Sequence, residues 1–368
     1  MNKSLCAAGL GMVCSLAVAQ SSVTLAGTVD VGVRHIKNGS VGSLTSEVSG
    51  SNSTSKLIVR GQEDLGGNLR AGFYLDSTIF ADMGSAGASA PAGQFWDRQS
   101  TVNLTHTRFG ELRLGRDWSP VHLVWSNFDP FAALGIAGAN TFRSLTASRV
   151  LGQAFGTTPE TQNATPMLRV SNAIEYFLPP DLWGFYGHIV KSWDEGGTTA
   201  NGFTKGDGFR IGWAKDAFNV AAAQFMTRNA ANSQRFTDQV YGLSYDFGFV
   251  ELDVAQRRWE YGSDSMINTH VGAVIPAGPG VVKLSYLWGN QKGAAALGAN
   301  DATQIGAGYV YALSKRTALY AHASYVDNDG SAVFTIPGGP AVSANPAAPN
   351  FFGGQSSKGF EAGIRHNF

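Results

Sequence analysis

Apolar and polar residues alternate along much of the chain with a period of two. In the segment 283–288, Leu284, Tyr286 and Trp288 share one face of an extended strand, whereas Lys283 and Ser285 share the other. The pattern recurs at 57–60, 111–114, 209–213, 250–257 and 360–365, with the charges opposite the apolar side chains. Alternation is typical of strands, but it does not separate a soluble sandwich from a barrel with a polar interior.

Turn signals divide the chain into pairs of strands. Short links occur at 64–67, 108–110, 179–181, 215–217, 246–248, 276–280 and 313–315, and longer Gly-, Ser-, Asn- and Ala-rich stretches occur at 37–54, 81–94, 194–206, 229–236, 290–300 and 328–357. The intervening segments predict 16 strands, at about 22–36, 55–64, 68–79, 95–107, 110–118, 167–178, 182–193, 207–215, 218–228, 237–247, 249–261, 265–275, 281–289, 302–312, 316–327 and 358–368. This alternation of short and long connections favours an all-β, 16-stranded antiparallel transmembrane β-barrel.

The composition agrees with this fold class. The chain has 368 residues, of which 46 are glycine and only 15% are charged, a composition that is poor for a helical enzyme. Its 27 basic residues balance 27 acidic residues, so no charge excess points to nucleic acid as a partner. Beyond residue 19, no apolar run reaches the roughly 18 residues of a membrane-spanning helix.

Residues 1–19 are predicted to be a signal peptide. Lys3 supplies a positive start, 5–16 is apolar, and 17–19 is a small-x-small cleavage signal, so the mature chain is expected to begin at Gln20. The alternative, a transmembrane helix, is less favoured because the apolar stretch is shorter than the roughly 20 residues of a bilayer span. Both cysteines lie in this segment, which leaves 20–368 without a thiol for a disulfide or a metal site.

No catalytic constellation emerges from the sequence. The seven histidines form no HxxxH or HExxH arrangement, and no G-x-S-x-G elbow is present. Gly306 and Gly308 lie in an alternating strand and open no helix, so they do not form a phosphate cradle. We therefore predict that the protein is not an enzyme, with no catalytic, cofactor-binding or metal-binding residues and no cofactor.

Aromatic residues cluster at the ends of the predicted strands, where the two interfacial belts of an outer-membrane barrel are expected. Examples are 95–96, Trp118, 176–177, Trp193, 247–249 and Trp288. The chain closes on Phe368, with Phe360 and Ile364 on the same strand face. This ending resembles the terminal signature by which outer-membrane barrels are inserted.

One connection, about 119–166, is far longer than ordinary loops, and such length usually marks a functional element. Its position among the strands resembles the third loop of the general porins of Gram-negative bacteria, in particular the trimeric type of beta-proteobacteria. The resemblance covers essentially all of 20–368 and is carried by the segments 20–27, 60–67, 114–117, 313–320 and 363–368.

The resemblance implies a homotrimer of 16-stranded barrels, each a water-filled pore in which the long third loop folds inward and faces basic residues on the wall. It places the protein in the outer membrane of a Gram-negative bacterium, in contact with lipid, small hydrophilic solutes and anions. The expected function is passive diffusion of such solutes and ions. The alternative is a structural or adhesive outer-membrane barrel whose lumen is plugged.

Residue by residue, the family's basic position at the start of the second strand falls on Lys56. The arginine of its Gly-Arg element falls on Arg116, the arginine after the loop crest on Arg143, and the facing acid on Asp129. Arg116 has the strand parity of the outward-facing leucines 112 and 114, so it reaches the lumen only if Gly115 introduces a bulge.

Two further cations complete the predicted pore constriction. Arg60 lies on the same strand face as Lys56. Arg98 is a weaker candidate, because a subunit-contact or rim role competes with pore lining.

Local charge predicts a preference for anions. Surface charges beyond about 8 Å are screened at physiological salt, so the narrowest cross-section decides selectivity. Four positive charges oppose Asp129 there, from Lys56, Arg60, Arg116 and Arg143. The loop's other acid, Glu160, lies near its exit, whereas cation-preferring relatives have a denser acidic loop. A pair on a lumen face, Glu251 and Asp253, could favour cations if it lay at the same height.

Overall fold

The computed structural model describes residues 22–87, 93–157, 165–193, 205–228, 234–293 and 297–368. The predicted signal peptide lies outside these residues. No helix within the described ranges is long and apolar enough to cross a bilayer. The helices among the described residues are α1 (Pro120–Asn127), α2 (Arg149–Phe155) and a short 3-10 helix at Leu297–Ala299.

Eighteen stretches of the described chain are extended. They are β1 (Ser22–Asn38), β2 (Gly42–Ser49), β3 (Lys56–Gly66), β4 (Leu69–Phe80), β5 (Ser85–Ala86), β6 (Gln99–His106), β7 (Gly110–Trp118), β8 (Arg169–Phe177), β9 (Phe185–Ser192), β10 (Gly206–Lys215), β11 (Phe218–Arg228), β12 (Arg235–Asp246), β13 (Glu251–Tyr261), β14 (Asp264–Ala277), β15 (Gly280–Lys292), β16 (Ala302–Ala312), β17 (Thr317–Asn328) and β18 (Ser357–Asn367).

These stretches form a closed barrel of 16 antiparallel strands. β2 and β3 both pair with β1, so they are two halves of one barrel strand, and β5 pairs only with the end of β4. Closure comes from β1 and β18, which pair from Thr28 opposite Asn367 to Asn38 opposite Ser357. The predicted strand count is confirmed. Short turns and Phe368 lie at one end of the barrel, the turn end, and the longer connections lie at the other, the loop end.

The first predicted long loop, 37–54, is wrong over most of its length. β1 continues to Asn38, turns at 39–41 and pairs with β2 down to Ser49. Ser- and Thr-rich β2 shows little apolar alternation, so the pattern gave no strand signal, yet its backbone completes the ladder.

A break at 50–55 separates β2 from β3 and is organised by Asp30. The buried Asp30 carboxylate accepts bonds from the backbone N–H groups of Asn52 (3.0 Å) and Ser53 (2.7 Å), and from the Tyr320 hydroxyl (2.6 Å). The break therefore has a defined shape, and it lies directly before Lys56.

Burial along the strands is the reverse of that in a soluble sandwich. Inner-face polar residues are buried, including Asp253, Arg257, Ser285 and Glu361, while their apolar neighbours on the outer face are exposed, including Leu252, Val254, Leu284 and Ile364. Aromatic side chains are exposed near both barrel ends, with Trp183 and Phe249 at the turn end and Trp193 and Trp288 nearer the loop end. An apolar band around a polar interior is the pattern of a barrel surrounded by lipid.

The hydrophobic core lies inside the barrel, between the long third loop and the wall. Trp125, Phe128 and Phe142 of that loop are buried with Phe334 and Phe352 of the last long connection. The rings of Phe142 and Phe334 are in contact, with centroids 5.0 Å apart and an angle of 56° between their planes. In its described part, the third loop therefore forms an inner layer that apolar burial holds against the wall.

Candidate channel constriction

The third loop enters the barrel directly after β7. Ser119 caps α1 by accepting a 3.3 Å bond from the His122 backbone N–H, and Pro120 occupies the first helical turn, where its missing N–H has no cost. α1 then packs on the inner faces of β9 to β13. Phe128 covers Gly242 of β12, where a side chain would collide with the ring.

The loop crest is built around Asp129. Its carboxylate accepts bonds from the backbone N–H groups of Phe131 (2.9 Å), Ala133 (2.8 Å) and Ala139 (2.7 Å), and it lies 3.6 Å from Nε2 of His270. Only 6% of the residue is exposed. The structure thus places the acid proposed for the constriction inside the loop, where it holds the crest in shape.

The loop tip rests on the last strand. Glu361 of β18 is fully buried, and its Oε1 accepts a 3.3 Å bond from the Ile136 backbone N–H and lies 2.9 Å from Nδ1 of His322. Its other oxygen pairs with Arg34 at 2.7 Å. Gly135 packs so closely on Glu361 and on the carbonyl of Ser51 that a Cβ there would meet both at 2.6 Å. The loop therefore spans the interior from β7 to the break beside Lys56.

The returning arm of the loop follows the same side of the barrel. α2 packs on β13 and β14, and Arg149 Nε pairs with Asp264 of β14 at 2.9 Å. The loop thus covers the inner face from β9 round to β18. The inner faces of β3, β4, β6 and β7, here called the basic wall, remain opposite it.

The loop-end half of the basic wall carries three charged groups close together. Arg98 Nε donates to Asp76 at 3.0 Å, and Lys56 is near enough to both to interact electrostatically with them. Arg98 therefore lies with Lys56 on the lumen side. From its position in the strand alone, a role at the barrel rim was equally compatible. Arg98 leaves that parity because the ladder of β6 begins only at Gln99.

The bulge expected near Arg116 is present, but the extra residue is in the neighbouring strand. β6 and β7 pair without interruption up to Ser100 opposite Arg116, whereas the β7–β8 register shifts between Gly115 and Asp117. Asn172 of β8 adopts a positive φ of 52° at this shift. Arg116 is half-buried and donates to the Asp97 carbonyl at 2.7 Å.

An aromatic group links the wall to the loop. The Trp118 ring lies 4.1 Å from the Arg169 guanidinium carbon and 5.1 Å from that of Arg98, and it stacks on His122 of α1 at 4.8 Å. Cation–π contacts of this kind hold arginines close together without a carboxylate for each. Arg169 had no motif to single it out in the sequence.

Positive charge dominates the region around α1. Burial, reinforced by Arg257, Arg169, Arg143 and Arg98, holds the pKa of His122 well below its usual range. Burial and the neighbouring Arg257 likewise lower the pKa of Arg143 to about 10, which leaves Arg143 charged at neutral pH. His122 is therefore neutral there, and the arginines set the local potential.

This lowered pKa predicts a pH dependence of loop packing. A histidine with a depressed pKa in the folded state resists protonation, so its destabilising effect is absent above its unfolded pKa of about 6.5 and grows by about 1.4 kcal/mol per pH unit below it. Between pH 6.5 and 5.5, where the slope is still building up, the wild type is expected to lose about 1 kcal/mol more stability than His122→Gln. Denaturant midpoints at both pH values measure the difference, and equal losses in the two proteins would contradict it.

Arg60 lies closer to the turn end than Lys56. It stands opposite Thr24 of β1 and Tyr74 of β4, beside a polar cavity of about 430 Å³ on the basic wall. It is four positions from Lys56 on the same strand face, a distance of about 13 Å along the strand. Arg60 is therefore outside the group formed by Lys56 and Arg98.

The acidic pair Glu251 and Asp253 does not lie at the same level along the barrel axis as Lys56. Glu251 is the first residue of β13, at the turn end, and Asp253 is only 3% exposed beneath the loop. Glu160, the other acid of the loop, lies outside the described residues. The sequence also missed the buried Arg257, which pairs with Asp238 at 2.6 Å, and its inward parity was the only available signal.

Comparison with known proteins agrees with this architecture. The family model described as Gram-negative porin matches residues 5–331. Outer membrane porin protein 32 of Delftia acidovorans is 33% identical over all of both chains. An outer membrane porin protein of Bordetella pertussis is 28% identical over 89% of this chain and 95% of its own.

Among solved structures, an anion-selective porin from Comamonas acidovorans superposes with a TM-score of 0.76 at 32% identity, covering 95% of this chain and all of its own. OmpT of Vibrio cholerae shares the fold with a TM-score of 0.62 at 13% identity, over 95% of this chain and 99% of that one. The chain belongs to the Gram-negative porin family, whose barrels cross the outer membrane with multiple strands.

Proposed function

We propose that the protein is a passive diffusion channel for small hydrophilic solutes and ions that prefers anions. The observation that carries this proposal is the group of Lys56 and Arg98 on the wall, facing a loop whose acid Asp129 is buried. Asp76 is tied to Arg98, so the lumen side keeps an excess of positive charge. The solved relative from Comamonas acidovorans is described as anion-selective, which supports the same preference here.

The path of the third loop favours an open channel over a plugged barrel. The loop packs on the inner faces of β9 to β18, and the polar cavity on the opposite wall remains unfilled by side chains. Lys56, Arg116 and Arg143 stay proposed as constriction residues, with Arg98 beside them. Arg60 is proposed to line the pore on the turn-end side of that constriction. Asp129 is proposed to contribute mainly by shaping the loop.

A homotrimer completes the proposal. It rests on resemblance to the trimeric porins, and the exposed apolar outer face of β1, with Val23, Leu25 and Val33, supplies surface for a subunit contact. Mass measurement in mild detergent checks it. A trimer mass is expected, and a purely monomeric protein would overturn this part alone.

Planar bilayers test the channel. Purified protein is expected to give discrete, long-lived conductance steps, and in a KCl gradient the zero-current potential is expected to take the sign of the chloride equilibrium potential. A sealed barrel would give no steps. A zero-current potential with the sign of the potassium equilibrium potential would overturn the anion preference.

A further inference from the structure

The polar cavity on the basic wall lies on the turn-end side of Lys56 and is lined by alternate inner-face residues. Two cross-strand rows build it: Thr24, Arg60, Tyr74 and Thr101 form one, and Ser22, Gln62, Gly72 and Asn103 form the other. Gly72 lies between Gln62 and Asn103 and has no side chain to fill the space. The inner face of the wall therefore has a recess at this point.

One positively charged side chain at this cavity is available to bind an anion. Arg60 is exposed and forms no ion pair within the part of the chain that the structure describes. The neighbouring Arg113 is held by both Glu111 and Asp117. Arg60 can therefore pair with a ligand that carries one negative charge. A second negative charge on the ligand would be repelled by Glu111, which lines the same cavity.

Uncharged polar groups surround that cation. Among the described residues, neither the Gln62 amide nor the Tyr74 hydroxyl has a hydrogen-bond partner, and Asn103 uses one amide N–H on Thr105 at 3.0 Å, which leaves its oxygen to accept. Amides both donate and accept, so they suit hydroxyl groups. The ring of Tyr74 adds an apolar surface for the C–H face of a carbon chain.

We propose that this cavity is a binding site for polyhydroxylated monocarboxylates, the chemical class of sugar acids. The carboxylate pairs with Arg60, and the hydroxyls bond to Gln62, Asn103 and Tyr74. A volume of about 430 Å³ accommodates a six-carbon chain with room for water. The inference rests on the proposed function, since the solute must first pass the Lys56 group, and it names the class of solute that the channel favours.

Three probes of similar size separate charge from hydroxyl recognition. Gluconate has both features, hexanoate has the charge alone and sorbitol has the hydroxyls alone. Chloride current through single channels is recorded while each probe is added. Gluconate is expected to reduce the current saturably at millimolar concentration, with an apparent affinity at least about tenfold above that of hexanoate or sorbitol, because it alone combines the ion pair with several hydrogen bonds. Equal effects of gluconate and hexanoate would overturn the proposal.

Variants locate the site. Gln62→Leu is expected to lower the apparent affinity for gluconate to nearly that for hexanoate. Arg60→Gln is expected to abolish the saturable reduction of current by gluconate. Gln256→Leu is the matched control, since it makes the same amide-to-leucine change on the outer face of β13, where it should leave gluconate binding unchanged. Unchanged gluconate binding in Gln62→Leu and Arg60→Gln would show that the site is elsewhere.

The same recordings keep the two proposals apart. If chloride steps or the anion preference are missing, the proposed function fails before any probe is added. If the anion-preferring channel is present and gluconate reduces its current only in proportion to concentration, the sugar-acid site alone is wrong.

Discussion

Replacing Lys56 with glutamate is expected to lower the anion-to-cation permeability ratio by about tenfold. A unit charge about 6 Å from a permeating ion contributes about 0.7 kcal/mol in water, and salt roughly halves this. A change of two charge units therefore raises the energy of an anion and lowers that of a cation by about 0.7 kcal/mol each, which shifts the permeability ratio by about 1.4 kcal/mol. Lys56 shares its surroundings with Arg98 and Asp76, and a glutamate there leaves Arg98 as the remaining cation of the group. Zero-current potentials in a KCl gradient measure the ratio.

Lys315→Glu provides the control for that measurement. Lys315 is exposed in the turn between β16 and β17, at the turn end of the barrel. Its distance from the Lys56 group is far greater than the screening length of about 8 Å at physiological salt. The anion-to-cation permeability ratio of Lys315→Glu is therefore expected to stay within twofold of wild type. Equal shifts in the two variants would mean that overall surface charge, rather than the constriction, sets selectivity.

The largest loss of stability is expected for Arg257→Met. Arg257 is 0% exposed, its Nε and one terminal nitrogen donate to the two oxygens of Asp238 at 3.0 and 2.6 Å, and it also donates to the Met167 carbonyl at 2.9 Å. Methionine replaces the stem but leaves Asp238 buried without its cation. Breaking a buried pair in this way costs about 3–5 kcal/mol.

The adjacent residue supplies a matched comparison. Arg258 points outward, its side chain is 46% exposed, and it pairs with Glu260, whose side chain is 39% exposed. Arg258→Met is expected to cost less than about 1 kcal/mol, since exposed pairs contribute little. Denaturant midpoints in detergent compare the two variants. Similar midpoints would show that the buried pair does not anchor β12 and β13 to the loop.

The barrel was predictable because its strands obey a local rule. Residues such as Leu252 and Asp253 must face opposite sides, so period-two alternation shows both the strand and its polar side. The rule failed at β2, where the outer face is polar and only Leu44 and Val48 are apolar. Backbone pairing with β1 makes that stretch extended, and pairing between distant segments leaves no mark on the residues themselves.

The constriction was predictable only in part. Lys56 lies within an alternating strand, so its side was readable from parity. Arg98 comes just before the ladder of β6 and contacts Asp76, 22 residues earlier in the chain, and strand parity does not predict such a contact. Asp129 was assigned by resemblance as an acid facing the channel. Its burial by three backbone N–H groups depends on the fold of the loop crest, which no spacing rule encodes.

The contact between the loop tip and Glu361 means that the channel can narrow only after β18 has joined the barrel. The bond from Ile136 to Glu361 joins residues 225 positions apart, and Glu361 lies on the strand whose pairing with β1 closes the barrel. Contacts of such high sequence separation form late, because the loop-closure entropy must be overcome first. A nascent barrel lacking β18 therefore has no seat for the loop tip, and the selective channel matures only when the circle of strands is complete.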